Sequence, residues 1–365
     1  MVEKNKKLKV VFSGGGTLGS VTPLISVYDA IKEKYPNTEF FWVGTKNGPE
    51  KVLIEDKGIR FLVFFSGKLR RYVSLYNIID LFKIIIGFFE SLIFLKKEKP
   101  DLCISAGGFV SVPLHWATRF IKIPTWIHQQ DVRVGLSNKL MSSFATVITT
   151  ALEQNSNYFP IEKTVYLGNP VRQDILDVDK QKAIELFGIS RKKPIVLVTG
   201  GGTGSENVNR LVADSVEYLK DTCDIIHLSG KDRSHELLNK IALDNDHYKT
   251  FSFLQDEMKH AYAVADLVIS RGGFGTLTEL SILKKPAIII PIPGHQEENV
   301  AFLAKSGAVI LVDQSTCTGQ KLASIVKDIL GDKESMQNMS EKLSKLIRVS
   351  KKQDILNIFE KIIIK

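Results

Sequence analysis

Cysteine is scarce: only Cys103, Cys223 and Cys317 occur in 365 residues, far apart and with no CxxC spacing, so neither a disulfide framework nor a thiolate zinc site is available. Long apolar runs are missing too. The greasiest stretch, LFKIIIGFFESLIFL from Leu81 to Leu95, is too short to span a bilayer and carries Lys83 and Glu90. The opening MVEKNKKLKV lacks the apolar segment of a secretory signal, and a cytoplasmic location is expected. No glycine loop is followed by GKS or GKT, which argues against a P-loop nucleotidase. The run FFWVGTKNG offers Gly44 and Thr45 where a nicotinamide enzyme needs an acidic residue for its ribose, which argues against a dehydrogenase.

What the chain does contain is a globular balance of 44% hydrophobic and 24% charged residues, enough to build large cores. Its length exceeds what one core usually fills, so two domains are expected. The formal net charge of +9 favours an anionic partner: a nucleic acid, a phosphorylated substrate or an acidic membrane face.

The order strand, glycine loop, helix occurs twice. Lys9 to Phe12 read as a buried strand, SGGGTLGS as the turn and PLISVYDAIKEKY as an amphipathic helix. PIVLVTGGGTGSENVNRLVADSVEYL starts the pattern again, with a strand from Ile195 to Val198 and a loop from Gly200 to Gly204. Strand-like runs alternate with helical stretches throughout, as parallel sheets with crossover helices require. The fold class expected is α/β of the GT-B type, two Rossmann-like domains whose parallel sheets face a central cleft. Pro170 interrupts LGNPVRQDIL, which sets the expected domains at 1–167 and 168–350, with an amphipathic helix at 351–365 packing back on the first.

Gly14, Gly16 and Gly19 satisfy GxGxxG, a weak signal alone, but two such loops facing one cleft favour phosphate binding over mere tight turns. In SRGGFGTLTEL, Gly272, Gly273 and Gly275 open a helix suited to a diphosphate. Glu279, about one turn in, either accepts the two hydroxyls of a ribose or simply stabilises the helix dipole. His295, Gln296 and Asn299 are read as ending a further strand with side chains suited to sugar hydroxyls.

Taken in order, these motifs resemble the MurG family, the lipid-linked N-acetylglucosaminyltransferases of peptidoglycan synthesis. GGTLGSVTPL is similar to the family's GGTGGHxxP loop, SAGGFVSVP to GGYxSxP, and IHQQDVRVGLSNK to HEQNxxxGxxNK; LGNPVR, TGGGTGSENVN, SRGGFGTLTEL and HQEEN follow at family-like spacing. The resemblance covers nearly the whole chain. It implies UDP-N-acetylglucosamine as donor, undecaprenyl-diphosphate-linked N-acetylmuramyl-pentapeptide (lipid I) as acceptor, lipid II as product, and no cofactor or metal. It also implies that Arg172, Gly201, Gly202, Thr203 and Gly204 meet the donor diphosphate, with Gly273 and Thr276 adding contacts. By the same carry-over Leu254 meets the uracil, Glu279 the ribose, and His295, Gln296 and Asn299 the sugar. Gly15, Gly16, Thr17, Gly19 and Ser20, with Gly107, Gly108 and Ser111, belong to the acceptor diphosphate. The chain departs from the pattern at Ser20, where the family has histidine, at Leu18 and Gly202, in reading HQQD for HEQN, and in a SFLQDEM segment one residue longer than the family's FIDDM.

Inverting transfer needs a base for the acceptor hydroxyl and a stabiliser for the departing diphosphate. Asp131 and His128, at the end of strand PTWIH, are the base candidates; the alternative is that His128 organises loop hydrogen bonds and Asp131 caps amides. Asp177 and Asp179 make a DxD, but in a polar helix entry that reads as solvated surface. The segment from Lys68 through Arg70 and Arg71 to Lys96 and Lys97 joins basic residues to an apolar stretch. It is read as a patch for an anionic membrane, ahead of a core helix with solvated ends. The expected place of action is peripheral, on the cytoplasmic face of the membrane, with no nucleic-acid partner. The alternative functions are a UDP-N-acetylglucosamine 2-epimerase, another UDP-sugar enzyme of the same fold, and a non-catalytic nucleotide-sugar-binding protein.

Overall fold

The computed structural model describes residues 7–68, 75–202, 204–231, 233, 235–254 and 256–364; of residues 75–77, 173 and 295 it describes the backbone only. Arg70, Arg71 and Thr203 therefore lie outside the described residues. The chain forms two compact units, 1–172 with 348–365, and 173–347.

In the first unit the strands are β1 (Lys9–Ser13), β2 (Glu39–Gly44), β3 (Arg60–Val63), β4 (Leu102–Ser105), β5 (Thr125–Gln129), β6 (Val147–Thr150) and β7 (Thr164–Tyr166). Between them run α1 (Thr22–Lys34), α2 (Glu50–Asp56), α3 (Leu75–Glu98), α4 (Ser111–Ile121) and α5 (Leu136–Ser142). The sheet is wholly parallel in the order β3-β2-β1-β4-β5-β6-β7, so the winding direction reverses between β1 and β4. Open α/β sheets bind ligands at such a reversal, beyond the C-terminal strand ends.

The second unit repeats this plan. It contains α6 (Lys180–Phe187), β8 (Ile195–Thr199), α7 (Glu206–Ala213), α8 (Val216–Leu219), β9 (Asp224–Leu228), α9 (Glu236–Asp244) and β10 (Tyr248–Phe251). After these come α10 (Met258–Val264), β11 (Leu267–Ser270), α11 (Phe274–Ile282), β12 (Ala287–Ile289), α12 (His295–Lys305), β13 (Ile310–Leu311), α13 (Gly319–Gly331) and α14 (Lys333–Leu346). Its sheet runs β10-β9-β8-β11-β12-β13, again parallel, with the reversal between β8 and β11. The polar DVDKQKA segment is a helix entry: Asp179 caps α6 by accepting the amides of Gln181 and Lys182 at 2.8 and 3.2 Å.

The last described helix, α15 (Lys352–Ile363), belongs to the first unit, where it lies against α1. Its Ile355, Ile358, Phe359 and Ile362 join the same core as Phe12, Ile31 and Trp42. Glu360 accepts hydrogen bonds from Lys34 and from the Tyr35 hydroxyl, and burial pushes Tyr35 up to about 12.

Candidate active site

The loop after β1 is built by backbone contacts. Gly14 donates its amide to Val43 O at 3.2 Å, and Trp42 Nε1–H donates to Gly14 O at 2.9 Å. Gly16, at φ +81°, donates to the carboxylate of Glu50 at 3.2 Å. The amides of Gly15 and Thr17 have no hydrogen-bond partner among the described residues. Across the sheet reversal, Gly107 and Gly108 take φ of +96° and +91°, a pair of left-handed residues that only glycine adopts without strain. Ser111, fully buried, donates to Ser13 O or Gly107 O, both at 3.0 Å, so its hydroxyl ties the β1 and β4 ends together.

The loop after β5 is a web of amide side chains. Gln129 donates to Asp131 O at 2.8 Å and accepts from Asn138 at 2.7 Å; Asn155 donates to Asp131 O at 2.7 Å. Gln130 reaches across to the first glycine loop, donating to Gly19 O at 2.7 Å. Asp131 itself is half-buried. Four buried oxygens around these loops have no partner among the described residues: Ser20 Oγ, Gln130 Oε1, Asn138 Oδ1 and Asn155 Oδ1. An unsatisfied buried polar atom costs about 1–3 kcal/mol, so such a group marks a place where water or ligand completes the bonding.

His128 is differently placed. It is 2% exposed, with Nε2 at 2.9 Å from Asn169 Oδ1 and Nδ1 at 2.9 Å from Thr149 Oγ1. The amide oxygen accepts, so Nε2 carries the proton and Nδ1 accepts from Thr149, whose oxygen also receives Trp126 Nε1–H. Burial lowers the ring to about 4, so it stays neutral. Both nitrogens are occupied, and a proton taken from a substrate would have to displace one of these bonds.

In the second unit the loop after β8 turns through Gly201 and Gly204, at φ +79° and +69°, into α7, whose cap Ser205 accepts the Val208 amide. Gly273 caps α11, with Thr276 half-buried in its first turn. Glu279 lies further along α11 and accepts the Tyr262 hydroxyl at 3.0 Å. One sequence expectation needs correction: His295, Gln296 and Asn299 do not end a strand but lie in the first turns of α12, which begins six residues beyond the end of β12. The run AIIIPIPG leaves the sheet at Ile290, and Gly294, at φ +107°, turns the backbone into the helix. Gln296 accepts the Ile292 amide at 3.0 Å, and Asn299 is buried. The turn still brings α12 against the loop that enters α11: a Cβ at Gly272 would sit 2.4 Å from Val300 Cγ2. Leu254 follows β10, half-buried at the sheet edge, and Arg172 closes the first stretch of the first unit.

Two residues that organise these sites were missed. Arg271 is buried, donates to Ser205 Oγ at 2.9 Å and to the carbonyls of Ile290 and Pro291 at 2.9 and 3.0 Å, and so joins the β8, β11 and β12 ends. A basic residue directly after the apolar strand LVIS was its only trace in the sequence. Glu50 does similar work under the first glycine loop.

Two family models match the chain: the glycosyltransferase family 28 N-terminal domain over residues 10–150 and the C-terminal domain over 195–357. A curated relative from Staphylococcus saprophyticus is 37% identical over 329 residues, covering 88% of this chain and 90% of its own. It is named UDP-N-acetylglucosamine–N-acetylmuramyl-(pentapeptide) pyrophosphoryl-undecaprenol N-acetylglucosamine transferase. A relative of the same name from Lachnospira eligens is 35% identical, with 94% and 99% covered. The chain belongs to the MurG family. The crystal structure of MurG from Acinetobacter baumannii superimposes with a TM-score of 0.74 at 25% identity, covering 97% of this chain and 99% of that one. A UDP-N-acetylglucosamine 2-epimerase from Neisseria meningitidis, at TM-score 0.68 and 16% identity over 98% and 100% of the chains, shares the fold alone. As a member of the MurG family the chain is a glycosyltransferase built from two Rossmann-like domains of the GT-B class.

Proposed function

We propose that this chain transfers N-acetylglucosamine from UDP-N-acetylglucosamine, with inversion, to the C4 hydroxyl of undecaprenyl-diphosphate-linked N-acetylmuramyl-pentapeptide, making lipid II for peptidoglycan synthesis. The observation that carries this reading is the identity of up to 37%, over about nine-tenths of both chains, to relatives named for that transfer. The donor is assigned to the second unit. Gly201, Gly202, Thr203 and Gly204, with Gly273 and Thr276, take the diphosphate; the N-termini of α7 and α11 supply amides and positive dipole ends where the leaving UDP gathers charge. Glu279 takes the ribose, Leu254 the uracil, and His295, Gln296 and Asn299 the sugar.

The acceptor is assigned to the first unit. The amides of Gly15 and Thr17, with Gly19, Gly107 and Gly108, suit its diphosphate. The unpaired oxygens of Gln130, Asn138 and Asn155 suit the hydroxyl and N–H donors of an acetamido sugar and its peptide. Asp131 is the base in this reading, because it lies in the same loop and its carboxylate can accept the C4 proton as the anomeric bond forms. His128 holds that loop through Asn169 and Thr149. Ser111 works from within, as the tie between strand ends.

The lipid-linked acceptor also brings the enzyme to an anionic membrane surface. Helix α3 supports this: Leu95 is buried and Phe88, Leu92 and Phe94 pack on the core, while Ile79, Phe82, Phe89 and Ile93 are exposed, with Phe65 and Phe120 nearby in the same unit. One face of this helix packs on the core, and the apolar side chains left exposed on the other favour the membrane-patch reading. Lys68, Lys96 and Lys97 are exposed. No described helix is long and apolar enough to cross a membrane, so the attachment is peripheral in this reading.

Turnover decides the function. UDP should be released from UDP-N-acetylglucosamine only when the lipid-linked acceptor is present; UDP or N-acetylmannosamine formed from the donor alone would overturn the assignment in favour of an epimerase.

A further inference from the structure

Glu50 is a fully buried carboxylate, 0% exposed, with no ion-pair partner among the described residues. At the start of α2 it accepts three hydrogen bonds: Oε1 from the Thr45 amide at 2.7 Å and the Thr45 hydroxyl at 2.6 Å, and Oε2 from the Gly16 amide at 3.2 Å. Three glycines make room for it. A Cβ at Gly15 would lie 2.1 Å from Oε1, one at Gly48 2.0 Å from Oε2, and one at Gly44 3.2 Å from Oε1. A buried charge without a counter-ion is retained only where hydrogen bonds fill its lone pairs, and here two loops supply them.

We propose that Glu50 is a positioning residue for the acceptor-side glycine loop. By drawing the Gly16 amide inward it fixes the left-handed turn at that residue and leaves Gly15 and Thr17 as the loop's free donors. Gly16 then contributes conformation and not an anion contact. Gly15 must lack a side chain because the carboxylate, not the substrate, occupies that space. The acceptor assignment rests on the function proposed above; the loop-holding role does not.

Glu50→Gln keeps the shape but turns an N–H toward one of the donors that the carboxylate accepts. In steady-state assays with UDP-N-acetylglucosamine and the lipid-linked acceptor, kcat/KM for the acceptor should fall by about 10- to 100-fold. The donor KM should stay within about twofold and the Tm within a few degrees. Gly15→Ala should lose as much alone, yet cost little more when added to Glu50→Ala, since the clash it creates is with the missing carboxylate. Hydrogen exchange at the Gly16 amide should speed up in Glu50→Gln without any substrate. Unchanged Gly16 exchange, or additive losses in the double variant, would overturn the positioning role. An unchanged acceptor kcat/KM with altered exchange would overturn its link to the acceptor. If the wild type fails to use the lipid acceptor, the function fails, and the exchange measurement still decides the role of Glu50.

Discussion

Asp131 and His128 stand three residues apart and have opposite prospects as bases. The histidine is buried, neutral and bonded at both nitrogens, whereas the aspartate is half-buried in the loop beyond the strand. Asp131→Asn should therefore lower turnover by about 10²–10⁴-fold at saturating donor and acceptor while UDP affinity holds; turnover within a few-fold of wild type would remove it as base. His128 shares its condition with His115 and His227, both lowered by burial to about 3. Each has a folded value below its unfolded one, so its stabilising effect is complete above pH 6.5 and is lost as pH falls toward 4. Below pH 6.5 the unfolded chain gains protons that the native chain refuses, at up to about 1.4 kcal/mol per pH unit for each ring. Thermal melting should thus decline between pH 6.5 and 4.5; a flat Tm over that window would mean the rings are solvated. Single residues were unevenly legible in the sequence. Gly16, Gly107, Gly201 and Gly204 could be read because a left-handed turn demands glycine wherever the chain places one. Arg271, Glu50 and Asn169 could not, because Ser205, Gly16 and His128, the partners through which they tie one loop to another, lie 66, 34 and 41 positions away.

Among elements, the strand and helix order followed from alternating apolar runs, and the repeated glycine loop announced the second sheet. The start of α12 was misread because AIIIPIPG looks like a strand to its last residue, while the positive φ at Gly294 that ends it is visible only in three dimensions. Helix α3 was ambiguous for a sound reason: an apolar surface facing a bilayer and one facing a core have the same composition. Its exposed side chains allow a clean test. Phe82→Glu with Phe89→Glu should leave the Tm nearly unchanged, since both rings are more than half exposed, at 63% and 58%. Sedimentation with anionic vesicles should nevertheless drop severalfold at physiological salt. Undiminished sedimentation would mean the bilayer is not what covers this face.

At the scale of the whole molecule the two units share a strand order but differ in continuity: the second is one uninterrupted stretch of chain, and the first is completed by residues 348–365. Phe359, fully buried against α1, shows how much depends on that return. Phe359→Ala should cost about 3–5 kcal/mol, seen as a lower denaturant midpoint for the first unit, while UDP binding assigned to the second persists; a loss under about 1 kcal/mol would mean α15 is only laid on the surface. The interruption has a consequence for a chain still on the ribosome. The second unit can close as soon as it emerges, but the unit begun first stays open until α15 has been made, a wait of the order of ten seconds or more at about 5–20 residues per second. Translation that stops short of α15 therefore yields a chain able to hold nucleotide but not to finish its other half, whose exposed apolar core marks it for chaperones and proteases.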